Sequence, residues 1–162
     1  FLEANPQHPP PAYWKGRSYP VGKQNHPVVG VTLYDALAFC RWLGCRLPAE
    51  QEWEKAARGL QGQTYPWGED WEEGKYCNNW ESGVGGTTPV DRYPAGISPF
   101  HVYDMLGNVW EWTASEYQGP FMHVLRGGSW RQFSRLTVRA VQRDWLTLSD
   151  ARDDLGFRCA RS

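Results

Sequence analysis

An α+β fold with short elements and much irregular chain is what this sequence predicts, and three observations predict it. Ten Trp, eight Tyr and six Phe supply large rings that each bury much area. Seventeen Gly and twelve Pro cut the chain into short elements and turns, which argues against a plain helical bundle. Two segments with helical periodicity come first, and several short alternating segments follow. The 162 residues, 41% hydrophobic and 22% charged, are ordinary for a single globular domain.

Residues 1–30 hold Pro6, Pro9, Pro10, Pro11, Pro20 and Pro27, a density that forbids a long helix and favours an extended, wrapping segment. From Thr32 the pattern changes. Leu33, Ala36, Leu37, Cys40 and Leu43 recur at spacings of three and four, Thr32 and Asp35 are placed as a capping box, and Gly44 ends the run, predicting a helix over 33–43. A second helix follows Pro48, with Glu50, Glu52 and Glu54 in its opening turns, Lys55 and Arg58 near its end, Gly59 as stop, and Trp53, Ala56 and Ala57 on its buried face. Ala49 stands where a Ser or Thr cap is expected, an omission worth ~1 kcal/mol. The stretch 61–98 is turn-rich, with a short strand expected near Val90. Alternation then predicts strands at Asn108–Thr113, Met122–Arg126, Leu136–Val141 and Leu155–Ala160, assembled as an antiparallel sheet against the two helices.

Charge and hydropathy exclude several function classes. Seventeen Lys and Arg against 18 Asp and Glu leave a net charge of -1, so no global field draws the chain to nucleic acid or an anionic membrane. Arg41, Arg46, Lys55 and Arg58 read as solvated helix faces. No run approaches the ~18–20 apolar residues needed to cross a bilayer, and the opening FLEANPQHPPPAYW lacks the basic start and apolar middle of a signal peptide, so a soluble chain is expected. His8, His26, His101 and His123 show no ligand spacing, and no nucleophile elbow occurs. The cysteines, Cys40, Cys45, Cys77 and Cys159, include no Cys-x-x-Cys pair, which argues against a zinc knuckle and leaves the redox compartment open.

Five blocks carry a resemblance: Gly44-Cys45-Arg46-Leu47-Pro48-Ala49-Glu50-Gln51-Glu52-Trp53-Glu54, Tyr65-Pro66-Trp67-Gly68, Gly107-Asn108-Val109-Trp110-Glu111-Trp112, Arg126-Gly127-Gly128-Ser129-Trp130 and Gly156-Phe157-Arg158. In this order, and over nearly the whole chain, the sequence resembles the formylglycine-generating-enzyme (sulfatase-modifying factor) family. The resemblance implies a C-type-lectin-like fold, two helices with a small twisted antiparallel sheet and extensive loops. It also implies a single domain, 1–162, that lacks the family's N-terminal strand and first helix.

For function, the resemblance implies copper chemistry on a cysteine pair between the Gly-Gly-Ser block and the following Arg-rich stretch. Here Trp130 to Arg139 contains no cysteine, so copper has no soft ligands there and no formylglycine-generating activity is expected. Related sulfoxide synthases keep their iron ligands on a helical bundle that this sequence does not contain. Family members bind calcium through positions matching Asp104, Gly107, Val109 and Glu111, and a second calcium through positions matching Asn78, Asn79, Ser82 and Val84, where Ser82 replaces an acid. Family cysteines at the positions of Cys40 and Cys159 are bridged, implying a disulfide or adjacent thiols in this chain.

A last candidate is a ligand surface formed by Arg131, Gln132, Phe133, Ser134, Arg135, Thr137, Gln142, Asp144, Trp145, Thr147 and Leu148, a mixture of ring, guanidinium, amide and hydroxyl typical of recognition surfaces. The dull alternative is that Phe133 and Trp145 are core rings. This stretch also resembles the variable region of retroelement-diversified proteins built on the same scaffold. Two function classes follow: a noncatalytic module that binds a protein or other ligand through 131–148, and an enzyme or accessory domain holding substrate in the same place.

Overall fold

The computed structural model describes residues 1–161. Helix α1 spans Leu33–Leu43 and α2 spans Glu50–Arg58; four strands follow, β1 (Trp110–Glu116), β2 (Met122–Arg126), β3 (Arg143–Thr147) and β4 (Leu155–Phe157). Thr32 caps α1 by accepting the Asp35 N–H at 3.2 Å while Asp35 accepts the Thr32 N–H at 2.8 Å. Gly44 closes α1 in the left-handed region, φ 69°, which a residue with a Cβ adopts at a cost. At α2 the missing cap is offset: Glu52 reaches back to accept the Ala49 N–H at 2.8 Å and also pairs with Arg46.

The sheet order is β3-β2-β1-β4. The expectation of an all-antiparallel sheet is corrected, because β4 runs parallel to β1, with Trp110, Glu111 and Trp112 opposite Leu155, Gly156 and Phe157. The reason is the connection 148–154. Strand β3 is antiparallel to β2 and so points the same way as β1, and the chain then crosses back past Gly30 and Leu33, which bond to Arg152 and Leu148 carbonyls, before β4 begins.

Two further strand expectations fail. Residues 136–141 form turns, because the alternation of Val138 and Ala140 marks an anchored loop: both are fully buried, Ala140 N–H donates to the Thr64 carbonyl, and Arg126 donates to the Ala140 carbonyl. The strand begins only after that stretch has ended, at 143–147. Val90 forms no strand either; its N–H donates to the Asn25 carbonyl, tying the 61–98 region to the N-terminal wrap. The expected strand from Leu155 stops at Phe157, after which Arg46 and Ala160 make an isolated antiparallel bridge.

Strand β1 divides the interior. Trp110 and Trp112 enter a cluster with Leu33, Ala36, Cys40, Leu47, Leu125 and Leu155 beneath α1. Glu111, on the opposite face by strand alternation, meets Trp53 of a second cluster, which holds Ala57, Tyr65, Cys77, Met105, Leu106, Val138 and Ala140 beneath α2. A strand buried on both faces explains why its four leading residues are all buried. Among the described residues no helix is long and apolar enough to cross a membrane.

Candidate functional site

The turn 104–109, which leads into β1, is tightly constrained. Asp104, Gly107 and Asn108 all lie at positive φ (52°, 74° and 61°), and a Cβ at Gly107 would run into the Asn78 carbonyl. Asn108 locks the turn by accepting from the Thr88 N–H (3.0 Å) and donating to the Thr88 carbonyl (3.1 Å) and to Asp104 Oδ2 (3.3 Å). Beyond it, Glu111 is 5% exposed and receives three short bonds of 2.6 Å, from Trp53 Nε1, Arg158 Nε and Arg158 Nη2. Two of these fall on Oε2 and one on Oε1, which leaves Oε1 an acceptor position. Burial pushes the Asp104 carboxyl up to about 7; Arg158 donates to the Asp104 backbone carbonyl (3.1 Å) and pairs its charge with Glu111. The Asp104 carboxyl lies near enough to Glu111 to feel its charge, and two carboxylates are the hard oxygen donors that calcium takes.

In the second calcium set Asn79 Oδ1 is buried without a hydrogen-bond partner, whereas Asn78 Oδ1 and the Asn79 carbonyl are occupied. The Ser82 hydroxyl lies 2.9 Å from Asn78 Oδ1 and 2.7 Å from the Asn79 carbonyl, so its one proton is shared between the oxygens a cation would use. No carboxylate stands among Asn78, Asn79, Ser82 and Val84.

Cys40 and Cys159, 119 positions apart, bring their sulfurs to 3.8 Å as free thiols. Burial and the neighbouring Cys159 push the Cys40 thiol up. Cys45 joins them, all three sulfurs lying within 4.8 Å of one another. The sequence reading weighed cysteine pairs by Cys-x-x-Cys spacing and missed this third thiol; the available signal was a cysteine on each side of the Gly44 helix stop.

The stretch 131–148 is mostly surface. Phe133 is 69% exposed and Trp145 42% exposed, so neither is a core ring. Each is braced on one side: Phe133 tilts against Trp80 at 5.3 Å, and Trp145 stacks on Tyr117 at 4.1 Å and 11°. Arg131 lies 4.1 Å over the Trp130 ring and pairs with Asp153, while Arg143 sits over Tyr117. Along β3, Arg143, Trp145 and Thr147 share the outer face, whereas Asp144 faces inward toward Arg152 with Leu146. Several of the named residues are occupied locally: Ser134 with Thr137, Thr147 with Asp150, Gln142 with the Arg143 carbonyl, and the Arg135 carbonyl with the Tyr65 hydroxyl, while the Gln132 carbonyl accepts from Trp80 N–H. The buried Val138 and Ala140 divide this stretch into two patches, 131–137 and 142–148. Trp80 and Tyr117 were not foreseen as its members, because they are rings far from it in sequence that brace it in space.

A cavity of about 640 Å³ lies elsewhere, between the N-terminal wrap and the α1/β4 side, walled by Trp14, Tyr19, Val31, Phe39, Phe157 and Cys159 among others.

Two helices, a small mixed sheet, long pinned loops and a ring-bearing surface define the class: a C-type-lectin-like domain. Within that class the chain belongs to the sulfatase-modifying factor enzyme 1-like (formylglycine-generating-enzyme) domain family, whose model matches residues 5–162. It is 42% identical over 94% of its length to the inactive Cα-formylglycine-generating enzyme 2 of Mus musculus, and covers 56% of that relative. The chain thus spans about half the length of the curated relatives it matches. Among solved structures it is similar to PvdO from Pseudomonas aeruginosa, with TM-score 0.75, 25% identity and coverage of 87% of this chain and 63% of the other. It shares its fold with Treponema denticola variable protein 1, with TM-score 0.70, 23% identity and coverage of 91% and 75%.

Proposed function

We propose that this domain is a noncatalytic binding module that contacts a protein or other ligand through residues 131–148, with Trp80 and Tyr117 as ring supports. The observation that carries the reading is the exposure of Phe133 and Trp145, each braced by a second ring and flanked by a stacked arginine. Braced rings lose little conformational entropy on contact, which is why Tyr, Trp and Arg dominate binding hot spots. The absence of cysteine between Trp130 and Arg139 and the likeness to a relative named inactive both support a noncatalytic role. The same scaffold in a protein named variable supports the further reading that 131–148 is sequence-diversified.

Replacing Arg131, Phe133 and Trp145 together by Ala tests the module. Loss of a partner captured by the wild-type domain, with the circular-dichroism melt retained, is expected; equal capture refutes the placement. A near-repeat of the codons for residues 130–158 beside a reverse-transcriptase gene is the outcome that diversification requires, whereas a fused helical bundle with a His-rich metal motif favours the enzyme reading.

Calcium belongs to the same proposal as a structural ion. Asp104 and Glu111 side chains with the Gly107 and Val109 carbonyls would hold it, and it would neutralise the Asp104 carboxylate. Titration calorimetry should give one site per chain, abolished by Asp104→Ala; an absence of heat returns Glu111 to the role of a hydrogen-bonded core acid.

A further inference from the structure

The net charge of -1 conceals a segregation of charge that falls on the ligand surface. From Gly127 to Arg143 the chain holds four arginines, at 131, 135, 139 and 143, and no Lys, Asp or Glu. All four are exposed; burial of Val138 and Ala140 in the core sends Arg139, between them, to solvent. Neighbours neutralise the row only in part. Arg131 pairs with Asp153, and Arg143 shares Glu50 with Arg126. Among the described residues the guanidinium groups of Arg135 and Arg139 have no ion pair and no hydrogen bond. Along the same stretch Phe133, Leu136, Val141 and Trp145 are exposed too. We propose, resting on the binding-module reading above, that the partner of this surface is a protein that presents an acidic peptide segment, with its carboxylates on the arginine row and its apolar side chains on the exposed rings and aliphatics.

Charge and apolar pattern together choose that occupant. An arginine fork meets a carboxylate through two parallel N–H donors, and Arg135 and Arg139 have theirs free. A long polyanion would also satisfy the arginines, but it would gain nothing from Leu136 and Val141, and it would have to cross an acidic border. Glu69, Asp70, Glu72 and Glu73 are exposed on a loop that adjoins the row: the Ala140 N–H donates to the Thr64 carbonyl, and the Thr64 N–H donates to Glu69. That bond, and more weakly the charge of Arg139, hold the Glu69 carboxyl below its usual range. The attractive field ends at this border, which suits a short segment and disfavours a nucleic acid or sulfated sugar that must track many charges. Attraction to the arginines would speed encounter and set orientation, while burial of the rings would supply the holding energy.

Random dodecapeptides displayed on phage and selected on the 162-residue domain are the probe. Enrichment in Asp and Glu together with Phe, Trp or Leu is expected. In fluorescence polarisation the tightest of these peptides should bind at least tenfold more weakly to the double variant Arg135→Glu, Arg139→Glu, since like charges are then opposed. The same charge change placed elsewhere, Lys15→Glu with Arg41→Glu, should leave the affinity within about twofold, and raising NaCl from 50 to 500 mM should weaken it about tenfold. No enrichment, enrichment without an acidic bias, or equal affinity in the Arg135 and Arg139 reversal overturns the proposal. Heparin or single-stranded DNA binding more tightly than the peptides at 150 mM NaCl overturns it in favour of a polyanion. Should the reversal not fold, Arg135→Gln with Arg139→Gln takes its place, and a loss below about threefold is the overturning result. The two readings fail separately. Uncharged peptides that the Arg131, Phe133 and Trp145 triple Ala variant no longer binds keep the binding module and remove only the acidic partner, whereas peptides that the triple variant binds as well as the wild type refute the placement of the module itself.

Discussion

The interior around Glu111 and the surface around Trp145 are built from the same residue types, Trp, Arg and carboxylates, and differ in how deeply those groups are buried. Inside, Glu111 takes three donors, and Arg126 is 1% exposed and bridges Glu50, Glu54 and the Ala140 carbonyl. Outside, Arg131 and Arg143 lie on ring faces, with pairs whose side chains are about half exposed on the arginine side. A buried set tied at several points holds shape, even with Arg126 Nε left without a partner. An exposed one on a rigid support has ring faces left to give, although Arg143 shares Glu50 with Arg126, so exposure, more than composition, separates scaffold from recognition surface.

The largest test of this contrast is Arg158→Ala, which leaves the Glu111 carboxylate buried with only the Trp53 donor. It should cost about 3–5 kcal/mol in urea denaturation, as uncompensated buried charges do; a loss within 1 kcal/mol would mean that the interior is not the rigid half of the comparison. Trp53→Phe removes one charge-assisted bond to Glu111 and should cost about 1.5–3 kcal/mol. On the surface, Trp145→Ala gives up only a stack on Tyr117 and should lower stability by about 0.5–1.5 kcal/mol. The smallest effect belongs to the exposed Glu52, whose carboxyl is held down at about 2 by Arg46 and the Ala49 N–H. Its folded value lies below the unfolded one, so its contribution is present above the unfolded carboxyl range and is lost as pH falls toward 2. Glu52→Gln should therefore flatten the acid side of a stability-versus-pH curve and leave the neutral side nearly level; an unchanged acid slope would show that the pair is screened to nothing.

Local chemistry made much of the fold readable. Thr32, Asp35 and Gly44 bounded α1, and Glu52 with Gly59 bounded α2, because caps act over three or four residues. The alternation of Val138 and Ala140 misled, since burial of every second residue arises in an anchored loop as readily as in a strand, and the anchors, Thr64 and Arg126, are distant in sequence. The direction of β4 was hidden for a similar reason: it depends on how 148–154 crosses the sheet past Gly30 and Leu33. At the candidate surface the sequence located Phe133 and Trp145, but Trp80 and Tyr117, which hold those rings, come from other loops and strands. The thiol cluster was half visible: the resemblance paired Cys40 with Cys159, and nothing in the cysteine spacing brought Cys45 to them.

The bond from Arg126 to the Ala140 carbonyl has a consequence for how this chain can change over generations. With Val138 and Ala140 fixed by the interior, the segment 131–137 is fastened at both ends to parts that its own side chains do not build. Changes at its exposed side chains should cost folding little, since they give up only surface contacts such as Arg131–Asp153 and Ser134–Thr137, whereas a single change at position 138 or 140 reaches the core. A library randomised at 131, 133, 135 and 137 should thus yield mostly folded members, and one randomised at 138 and 140 mostly unfolded ones.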